Sequence, residues 1–409
     1  MPHVVTCFLR HRTHVLLARR SDTVGTYAGR WAGISGYVEG DPADAEADAS
    51  REIREETGVE SATFVRAGDP LDVRDDDRTW TVHPFLFEVA SRDVGPNEEI
   101  AAHEWVSPPA IRERETVPGL WDAYAAVAPT AETVATDDTH GSAWISVRAL
   151  EVLRDRAAVA GATDAVVAVA RELRAARPSM AAVANRVNRV MAEADRTPAA
   201  IRERAQQAAE AALDANDAAA AFAAERCSVS VVTLSRSGTV LAALRTAEPS
   251  VLIGESRPAR EGVDVAAALA DDGLDVTLTT DAALSSGLAE RAPDAVLVGA
   301  DAVLADGSVV NKVGTRGLAI AAAREGVPVY VVAAADKVRP DERFEGETGA
   351  DADLYGGTAP VTVSNPIFDR TPVDLVAGVI TERGILDAAA VGDVAAEQQK
   401  HARWDERED

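Results

Sequence analysis

Short apolar runs alternate with polar turns along the first 128 residues, and one segment among them has the spacing of a helix. Runs rich in branched and aromatic side chains predict strands at residues 4–9, 15–18, 62–65, 79–89 and 103–106. Apolar positions three and four apart predict a helix over residues 43–57. Strands and a helix in this order indicate an α+β domain over residues 1–128.

The remainder of the chain has a different pattern. Residues 129–143 lose large apolar side chains and gather Thr, Asp, Pro and Gly, which predicts a linker. Residues 144–225 have apolar positions at helical spacing throughout and predict a helical subdomain. Over residues 226–409, continuous apolar runs alternate with Ala-rich helical segments, which is typical of a parallel sheet covered on both faces. We therefore expect an α/β multi-domain chain that ends in a Rossmann-like, doubly wound sheet.

The charge balance is strongly acidic, with 67 Asp and Glu against 41 Lys and Arg and a net charge of -26. The lysines are Lys312, Lys337 and Lys400, and aromatic residues make up only 4% of the chain. This balance is typical of proteins that stay soluble in concentrated salt, so we expect a halophilic protein of haloarchaeal origin. The sequence has no basic stripe to neutralise phosphates, which argues against nucleic acid as a direct partner.

The cysteines and the hydropathy pattern exclude several other classes. Cys7 and Cys227 are far apart and lack metal-ligand spacing, so the sequence suggests neither a disulfide framework nor a zinc site. No apolar run reaches the roughly 18 residues of a membrane span, and the first residues do not resemble a signal peptide. We expect a soluble cytoplasmic protein with no membrane partner.

The predicted helix carries three glutamates at spacings that place them on one face. Glu52, Glu55 and Glu56 stand at i, i+3 and i+4, where like charges repel each other. A hard divalent cation would turn that repulsion into a binding site, and Arg51 could hold one carboxylate in place. The alternative is an ordinary solvated acidic surface, which the composition alone would favour.

The order of residues around these glutamates resembles the Nudix hydrolase family. The second half of the family's box is matched at the right spacing, by Arg51, Glu52, Ile53, Glu55, Glu56, Gly58 and Val59. The first half departs: Gly36 lies one residue further from Arg51 than in the family, and the early Glu position falls at Pro42. The possible replacements for that Glu are Asp41 or Asp44.

The resemblance implies a fold and a chemistry for the first domain. The fold would be an α/β/α sandwich around a mixed sheet. Glu52, Glu55 and Glu56 would bind magnesium, with manganese as an alternative. With this metal the domain would hydrolyse a nucleoside diphosphate derivative. Such enzymes often have another acid on a downstream loop, where this chain offers Glu98 or Glu99. The residues alone do not decide between Glu98 and Glu99. By the same resemblance, Gly36, Arg51 and Gly58 would have structural roles.

A second candidate site lies in residues 296–322. An apolar run ends at Gly299-Ala300-Asp301, the position where open α/β sheets present ligand-binding residues. Asn311 and Lys312 then precede an Ala-rich helix, so backbone N–H groups and a cation could converge on a phosphate. The alternative is that Asp301 caps a loop and Lys312 pairs with a surface acid.

This region resembles the superfamily of the translation initiation factor 2B alpha, beta and delta subunits, methylthioribose-1-phosphate isomerase and archaeal ribose-1,5-bisphosphate isomerase. The segments "RPSMAAVANRVNRV", "GESRPAREG", "TDAALSSGL" and "NPIFDRTPVDLVAGVITERGI" occur in the family's order, over roughly residues 140–390. By this resemblance the isomerases pair an aspartate, here Asp301, with a cysteine after the first strand. The resemblance also implies a homodimer formed through the α/β domain.

The cysteine's place is taken by Ser235, which changes the expected function. A serine hydroxyl with no adjacent base is a far weaker acid or base than a thiol. Cys227 lies at the start of the strand, too far away to substitute. We therefore expect a domain that binds a phosphorylated sugar or nucleotide rather than an isomerase, with ligand-binding candidates Ser235, Arg257, Arg260, Asn311, Lys312 and Asp369.

Three of these candidates have structural alternatives. Arg257 and Arg260 could form salt bridges to Glu255 or Glu261, and Asp369 could cap a helix after Thr371.

Three functions follow in order of preference. The first is a magnesium-dependent Nudix-type hydrolase joined to a domain that senses a phosphorylated metabolite. The second is a non-catalytic interaction protein related to initiation factor 2B, and the third retains phosphosugar isomerase activity. The intact glutamate face favours the first over the second, and Ser235 counts against the third.

Overall fold

The computed structural model describes residues 1–75, 78–227, 229–344 and 346–406, which form two compact units. The first comprises Met1–Thr130 together with Arg154–Val159, and the second comprises Ala131–Leu153 and Ala160–Asp409. Among the described residues, no helix has the length and apolar character needed to cross a membrane.

The first unit is built on a mixed sheet that has eight strands within the described residues. The strands are β1 (His3–His11), β2 (His14–Arg20), β3 (Trp31–Ala32), β4 (Ile34–Tyr37), β5 (Thr63–Ala67), β6 (Leu71–Asp75), β7 (Arg78–Glu88) and β8 (Ile100–Val106). The helices are α1 (Ala45–Thr57) and α2 (Leu120–Val127). β1 pairs in parallel with β7 and antiparallel with β2 and β4, so the sheet is mixed.

Alternation along β1 distributes its side chains between two cores. Val5, Cys7 and Leu9 pack in the cluster that contains the apolar side of α1. Phe8 packs in the other cluster, with the apolar side of α2. Because successive strand residues point to opposite faces, the sheet lies between the two helices. The predicted α/β/α sandwich is confirmed.

The sequence located α1 well and missed several shorter elements. Residues 43 and 44 belong to a 3-10 turn, Pro42–Asp44, rather than to the helix itself. The helix ends at Thr57 because Gly58 adopts a left-handed conformation, with φ 68°, and its N–H donates to the Arg54 carbonyl. The elements that the sequence pattern missed are β3, β4, β6 and α2.

The second unit begins with helices. They are α3 (Ala131–Thr136), α4 (Ser142–Val159), α5 (Thr163–Ala176), α6 (Ala181–Glu193) and α7 (Pro198–Ala224). α3 lies inside the predicted linker, so that segment is partly helical. α4 to α7 fill the range predicted as a helical subdomain, although the end of α4 belongs to the first compact unit.

A mainly parallel sheet of seven strands, counted over the described residues, follows in the order β11-β10-β9-β12-β15-β17-β18. Its strands are β9 (Ser230–Thr233), β10 (Ser250–Gly254), β11 (Val276–Thr279), β12 (Ala295–Val298), β15 (Val329–Val332), β17 (Gly378–Thr381) and the antiparallel β18 (Gly384–Leu386). A small sheet contains β13 (Ala302–Val303), β14 (Val309–Lys312) and β16 (Phe368–Thr371). The helices are α8 (Gly238–Ala247), α9 (Glu261–Asp271), α10 (Leu284–Arg291), α11 (Thr315–Glu325) and α12 (Ala388–Ala402).

The strand order places a reversal of direction between β9 and β12. From β9 the chain continues outward through β10 and β11, and from β12 it continues the other way through β15 and β17. In open parallel sheets, ligands bind in the crevice at the carboxyl ends of the two strands that flank such a reversal. We therefore expect the ligand-binding residues of this sheet to follow β9 and β12.

Candidate functional sites

A cleft of about 410 Å³ opens in the first unit beside α1. Its wall includes Arg20, Tyr27, Gly36, Glu52, Trp80 and Glu99. We call it the glutamate cleft. Of the two acids that the sequence left open, Glu99 lies on this wall, whereas the carbonyl of Glu98 accepts hydrogen bonds from the hydroxyls of Ser21 and Thr23.

Gly36 allows Glu52 to lie against β4. A Cβ atom at position 36 would fall 2.0 Å from the Glu52 carboxyl carbon, so a larger residue there would displace the Glu52 carboxyl group. The glycine therefore leaves room for the Glu52 carboxylate and does not adopt a left-handed backbone conformation. Gly36 pairs with Val5 of β1, so the Glu52 carboxylate lies against the sheet at this strand pair.

Glu56 is the most buried acid of the helix, with 7% of its surface exposed. It accepts a hydrogen bond of 3.3 Å from the Ser35 amide. Burial raises the pKa of Glu56 to about 8; the Ser35 hydrogen bond opposes this rise, and the charges of Glu52 and Glu99 add to it. Glu52 and Glu99, which immediately precedes β8, are thus close enough to Glu56 for their charges to raise its pKa.

Glu52 has a similar environment, whereas Glu55 does not. The Glu52 side chain is 13% exposed, and burial raises its pKa even though Arg51 lies 2.9 Å from its carboxylate. Glu55 is 58% exposed and is held by Arg51 at 3.3 Å. Arg51 also contacts Asp48 at 3.0 Å, so it holds several carboxylates rather than one. The three glutamates of the predicted face therefore differ in burial.

The acids of the glutamate cleft do not form a ready-made metal site. Within the described part of the chain, no three His, Cys, Asp or Glu side chains are grouped closely enough to hold a metal ion as they stand. Glu52 and Glu56 nevertheless fit a divalent cation, because both are poorly solvated oxygen donors whose pKa values are raised by burial. A cation here would favour the ionised form of both carboxylates.

The raised pKa of Glu56 predicts how the stability of the metal-free protein depends on pH. The pKa of Glu56 is ordinarily 4.5 and rises to about 8 in the folded protein. Glu56 therefore contributes stability that is fully present below pH 4.5. That contribution is lost as pH rises through about 8, because the folded state then has to give up its extra proton. We expect the wild type in EDTA to lose thermal stability over this window relative to Glu56→Gln.

Thermal unfolding at several pH values checks this prediction. The control is Glu46→Gln, an exposed position on the same helix, which should follow the wild type. Equal pH dependence in wild type and Glu56→Gln would contradict it.

In the second unit, Ser235 and Asp301 follow the two strands that flank the reversal. Ser235 comes just after β9 and Asp301 just after β12. Burial raises the pKa of Asp301; Lys337 and Lys312 oppose this rise, and Glu347 and Glu261 add to it. The Asp301 carboxyl group therefore lies near charges of both signs. It follows a strand, at the edge of the sheet where folds of this kind bind ligands.

Ser235 is held in an unusual backbone conformation and contacts a carboxylate. Its φ is 69°, in the left-handed region, and its N–H donates to Ser256 Oγ at 2.6 Å. Its hydroxyl donates to Glu261 Oε1 at 3.3 Å. Lys312 Nζ lies 2.8 Å from the same oxygen. We call the group Ser235, Glu261, Asp301 and Lys312 the switch-point crevice.

The contact with Glu261 corrects the premise that Ser235 lacks an adjacent base. Glu261 is 9% exposed, so the serine faces a buried carboxylate rather than solvent. Lys312 likewise pairs with this buried acid and not with a surface one. Glu261 was expected from the sequence to pair with Arg257 or Arg260.

Asp369 caps a different helix from the one that the sequence suggested. Its carboxylate accepts from the Gly314 amide at 2.8 Å and from the Arg316 amide at 3.2 Å, at the N-terminus of α11. No cap forms after Thr371 from Asp369, because a 3-10 turn there begins with Pro372 as its N-cap. The amides expected to meet a phosphate are thus occupied by a side chain of the same domain.

The other predicted ligand residues have partners within the domain. Asn311 Nδ2 donates to Thr315 Oγ1 at 3.0 Å. Arg260 lies 3.1 Å from Glu255, the salt bridge given as its alternative. Arg257 donates to the Asp353 carbonyl at 3.2 Å and is otherwise exposed. Of this set, Lys312 contacts Glu261, the acid that also accepts from Ser235.

Cys227 is chemically inert in this structure. The thiol is buried and its pKa is raised to about 11, first by burial and then by the charge of Asp294. It donates to the Ala223 carbonyl at 3.3 Å. This environment agrees with the expectation that Cys227 does not replace the missing cysteine.

Comparisons with known proteins match both parts of the chain. The NUDIX domain model matches residues 1–127, and the model described as the initiation factor 2 subunit family matches residues 138–388. Methylthioribose-1-phosphate isomerase of Heliobacterium modesticaldum is 35% identical over 175 residues, which cover 39% of this chain and 51% of that protein. This chain thus spans about half the length of that relative.

Two further matches extend over more of the relative. Ribose 1,5-bisphosphate isomerase of Haloferax volcanii is 32% identical over 282 residues, which cover 62% of this chain and 87% of that protein. The structure of translation initiation factor eIF-2B from Pyrococcus horikoshii OT3 matches with a TM-score of 0.56 and 27% identity, covering 63% of this chain and 94% of that one. These matches account for the second unit and its fold.

Proposed function

Because the chain belongs to the initiation factor 2 subunit family and carries a NUDIX domain ahead of that region, we propose that it hydrolyses a phosphorylated metabolite at one site and binds another at a second site. The first site is a magnesium-dependent hydrolase of a nucleoside diphosphate derivative in the glutamate cleft. The observation that carries this proposal is that Glu52 and Glu99, from two parts of the first unit, line one cleft and that both raise the pKa of the buried Glu56.

The charged residues in and beside the cleft have different parts in the proposed hydrolysis. Glu52 and Glu56 would hold the cation, with Glu99 beside them and Glu55 as a further ligand by family resemblance. Magnesium, or manganese, supplies Lewis-acid polarisation of the diphosphate and a more acidic bound water. Arg20 on the cleft wall is placed to neutralise a phosphate, and Arg51 holds Glu52 in position.

Hydrolysis of a panel of nucleoside diphosphate derivatives tests the proposal. The protein is assayed in molar KCl with and without magnesium, and products are followed by phosphorus NMR. We expect at least one derivative to be cleaved at the diphosphate linkage only when the metal is present. No turnover of any derivative would favour the non-catalytic alternative.

The second site is a binding site for a phosphorylated sugar in the switch-point crevice. It is supported by Ser235 and Asp301 at the reversal of strand order and by Lys312 beside them. The family relatives named as isomerases of ribose 1,5-bisphosphate and methylthioribose 1-phosphate point to a sugar with a phosphate at C1. A role in controlling the hydrolase and a homodimer through residues 226–409 are further predictions, the latter tested by the mass in solution.

Lys312→Ala is expected to weaken sugar phosphate binding by roughly 10–100-fold, because one hydrogen bond to a charged group is worth about 1.5–3 kcal/mol. Calorimetric titration with ribose 1,5-bisphosphate measures the effect. The matched control is Lys400→Ala, an exposed lysine at the end of α12. Unchanged affinity in Lys312→Ala would show that the phosphate binds elsewhere.

A further inference from the structure

Residues 154–159 complete the first unit, although they lie outside the stretch that the NUDIX model matches. That stretch ends at residue 127, whereas Arg154–Val159 belongs to the first compact unit and falls in the range matched by the initiation factor 2 subunit family. The first unit therefore contains side chains from beyond the matched NUDIX stretch. Two of them, Arg154 and Asp155, contact the helix that forms one wall of the glutamate cleft.

Arg154 and Asp155 form a buried ion pair, and both side chains contact Tyr124 of α2. Arg154 Nε donates to Asp155 Oδ1 at 2.7 Å, and only 1% of Arg154 and 7% of Asp155 are exposed. The Tyr124 hydroxyl donates to Asp155 Oδ2 at 2.8 Å and accepts from Arg154 Nη2 at 3.2 Å. Hydrogen bonds to charged groups are strong, and burial reduces their screening by water. The pair therefore holds the Tyr124 hydroxyl in one place.

The buried side of α2 carries Tyr124 and also lines the glutamate cleft. Leu120 and Ala123 lie on the cleft wall, and they precede Tyr124 by one helical turn and by one residue. The Tyr124 ring packs edge-on against Phe8 of β1, with ring centroids 5.5 Å apart. Thr6, which lies on the same face of that strand as Phe8, lines the cleft as well. Holding Tyr124 therefore holds the α2 wall against the strand that forms the adjoining wall.

The end of α4 is tied to the first unit at two further places. Arg154 Nη1 donates to the Thr13 carbonyl at 3.1 Å, in the turn between β1 and β2. The Ala158 carbonyl accepts from Arg112, which belongs to the 3-10 segment Pro108–Glu113 ahead of α2. The ion pair is thus anchored to the sheet on one side and holds α2 on the other.

We propose that Arg154 and Asp155 are positioning residues of the hydrolase, which hold α2 through the Tyr124 hydroxyl so that its apolar side forms the wall of the substrate cleft. This inference rests on the proposed hydrolysis in the glutamate cleft. The acids of that cleft come from α1 and from the residue before β8. The ion pair therefore acts on the binding of substrate and not on the binding of metal.

Tyr124→Phe tests the inference with the smallest change, because it removes the hydroxyl and keeps the ring that packs against Phe8. A hydrogen bond to a charged group is worth about 10-fold in an equilibrium, so α2 should leave its position in a larger share of the molecules. For a diphosphate derivative that the wild type cleaves, we expect KM to rise by about 10-fold and kcat to change by less than about twofold, since bound substrate selects the held wall. The magnesium requirement should stay the same.

Asp155→Asn should raise KM in the same way, because it removes the charge that the Tyr124 hydroxyl and Arg154 both contact. Asp122→Asn is the matched control, since it removes an exposed acid from α2 itself. Hydrogen–deuterium exchange followed by mass spectrometry reports the position of α2 without substrate. The α2 amides should exchange faster in Tyr124→Phe and Asp155→Asn than in the wild type and the control. Circular dichroism verifies that each full-length variant is folded.

The remaining outcomes separate this inference from the proposed hydrolysis. An active wild type with an unchanged KM in Tyr124→Phe overturns the inference and leaves the hydrolase standing. A loss in kcat or an altered magnesium requirement at unchanged KM also overturns it, because the ion pair would then act on the metal site. A higher KM without faster exchange of the α2 amides shows that the pair does not act by holding α2. Absence of hydrolysis by the wild type overturns both the proposed function and the inference.

Discussion

Glu52→Gln is expected to lower hydrolysis in the glutamate cleft by about 10²–10⁴-fold, the range found when one charged group at a reacting centre is removed. The carboxylate lies against Gly36, and glutamine fits the same space because it has nearly the same size and shape as glutamate. The substitution removes the negative charge while the shape of the cleft is kept. The loss should therefore appear in kcat and in the magnesium requirement, and not in folding.

The measurement is the rate of diphosphate cleavage at saturating substrate, over a range of magnesium concentrations. Glu46→Gln is the matched control, because it removes one glutamate charge from an exposed position of the same helix. A reduction shared equally by both variants would mean that general surface charge, and not the cleft, governs the rate. Wild-type activity in Glu52→Gln would remove Glu52 from the metal site.

Asp336→Ala is expected to destabilise the second unit by about 3–5 kcal/mol, because it leaves a buried arginine without its counter-charge. Asp336 lies 2.9 Å from Arg186 and also pairs with Arg189, and only 2% of the Arg186 surface is exposed. Burial would raise the pKa of Asp336, but the two arginines hold it below its ordinary value. The ion pairs of Asp336 with Arg186 and Arg189 join α6 to the residues that follow β15.

Urea unfolding of the full chain measures this loss, with the transition of the second unit followed by circular dichroism. Asp272→Ala is the control, since Asp272 pairs with Arg245 at 2.6 Å and both side chains are more than a third exposed. An exposed pair contributes about 0–1 kcal/mol, so the control should change little. Equal effects of the two substitutions would contradict the argument from burial.

The fold was predictable where a single periodic pattern spans a whole element. α1 and the long strand β7 carry such patterns, and the doubly wound sheet was indicated by continuous apolar runs between helices. β3 and β4 were missed because they are short and rich in small residues, and β6 because charged residues interrupt it. Their pairing depends on neighbouring strands that no local pattern reveals.

The sites were predictable only as far as local sequence could determine them. Glutamate spacing predicted a charged face on α1, yet only the folded chain separates exposed Glu55 from buried Glu56. The contact between Ser235 and Glu261 joins residues 26 apart, and the cap by Asp369 joins residues 55 apart. Such contacts follow from the order of strands in the sheet, which the sequence pattern did not specify.

Magnesium uptake by the glutamate cleft is the most direct test of the account, because the proposed hydrolysis depends on it. Calorimetric titration in molar KCl compares the wild type, Glu46→Gln and the double variant Glu52→Gln with Glu56→Gln. We predict saturable magnesium binding by the wild type and by Glu46→Gln, and none by the double variant. Equal uptake by all three proteins, or no uptake by the wild type, would contradict the account.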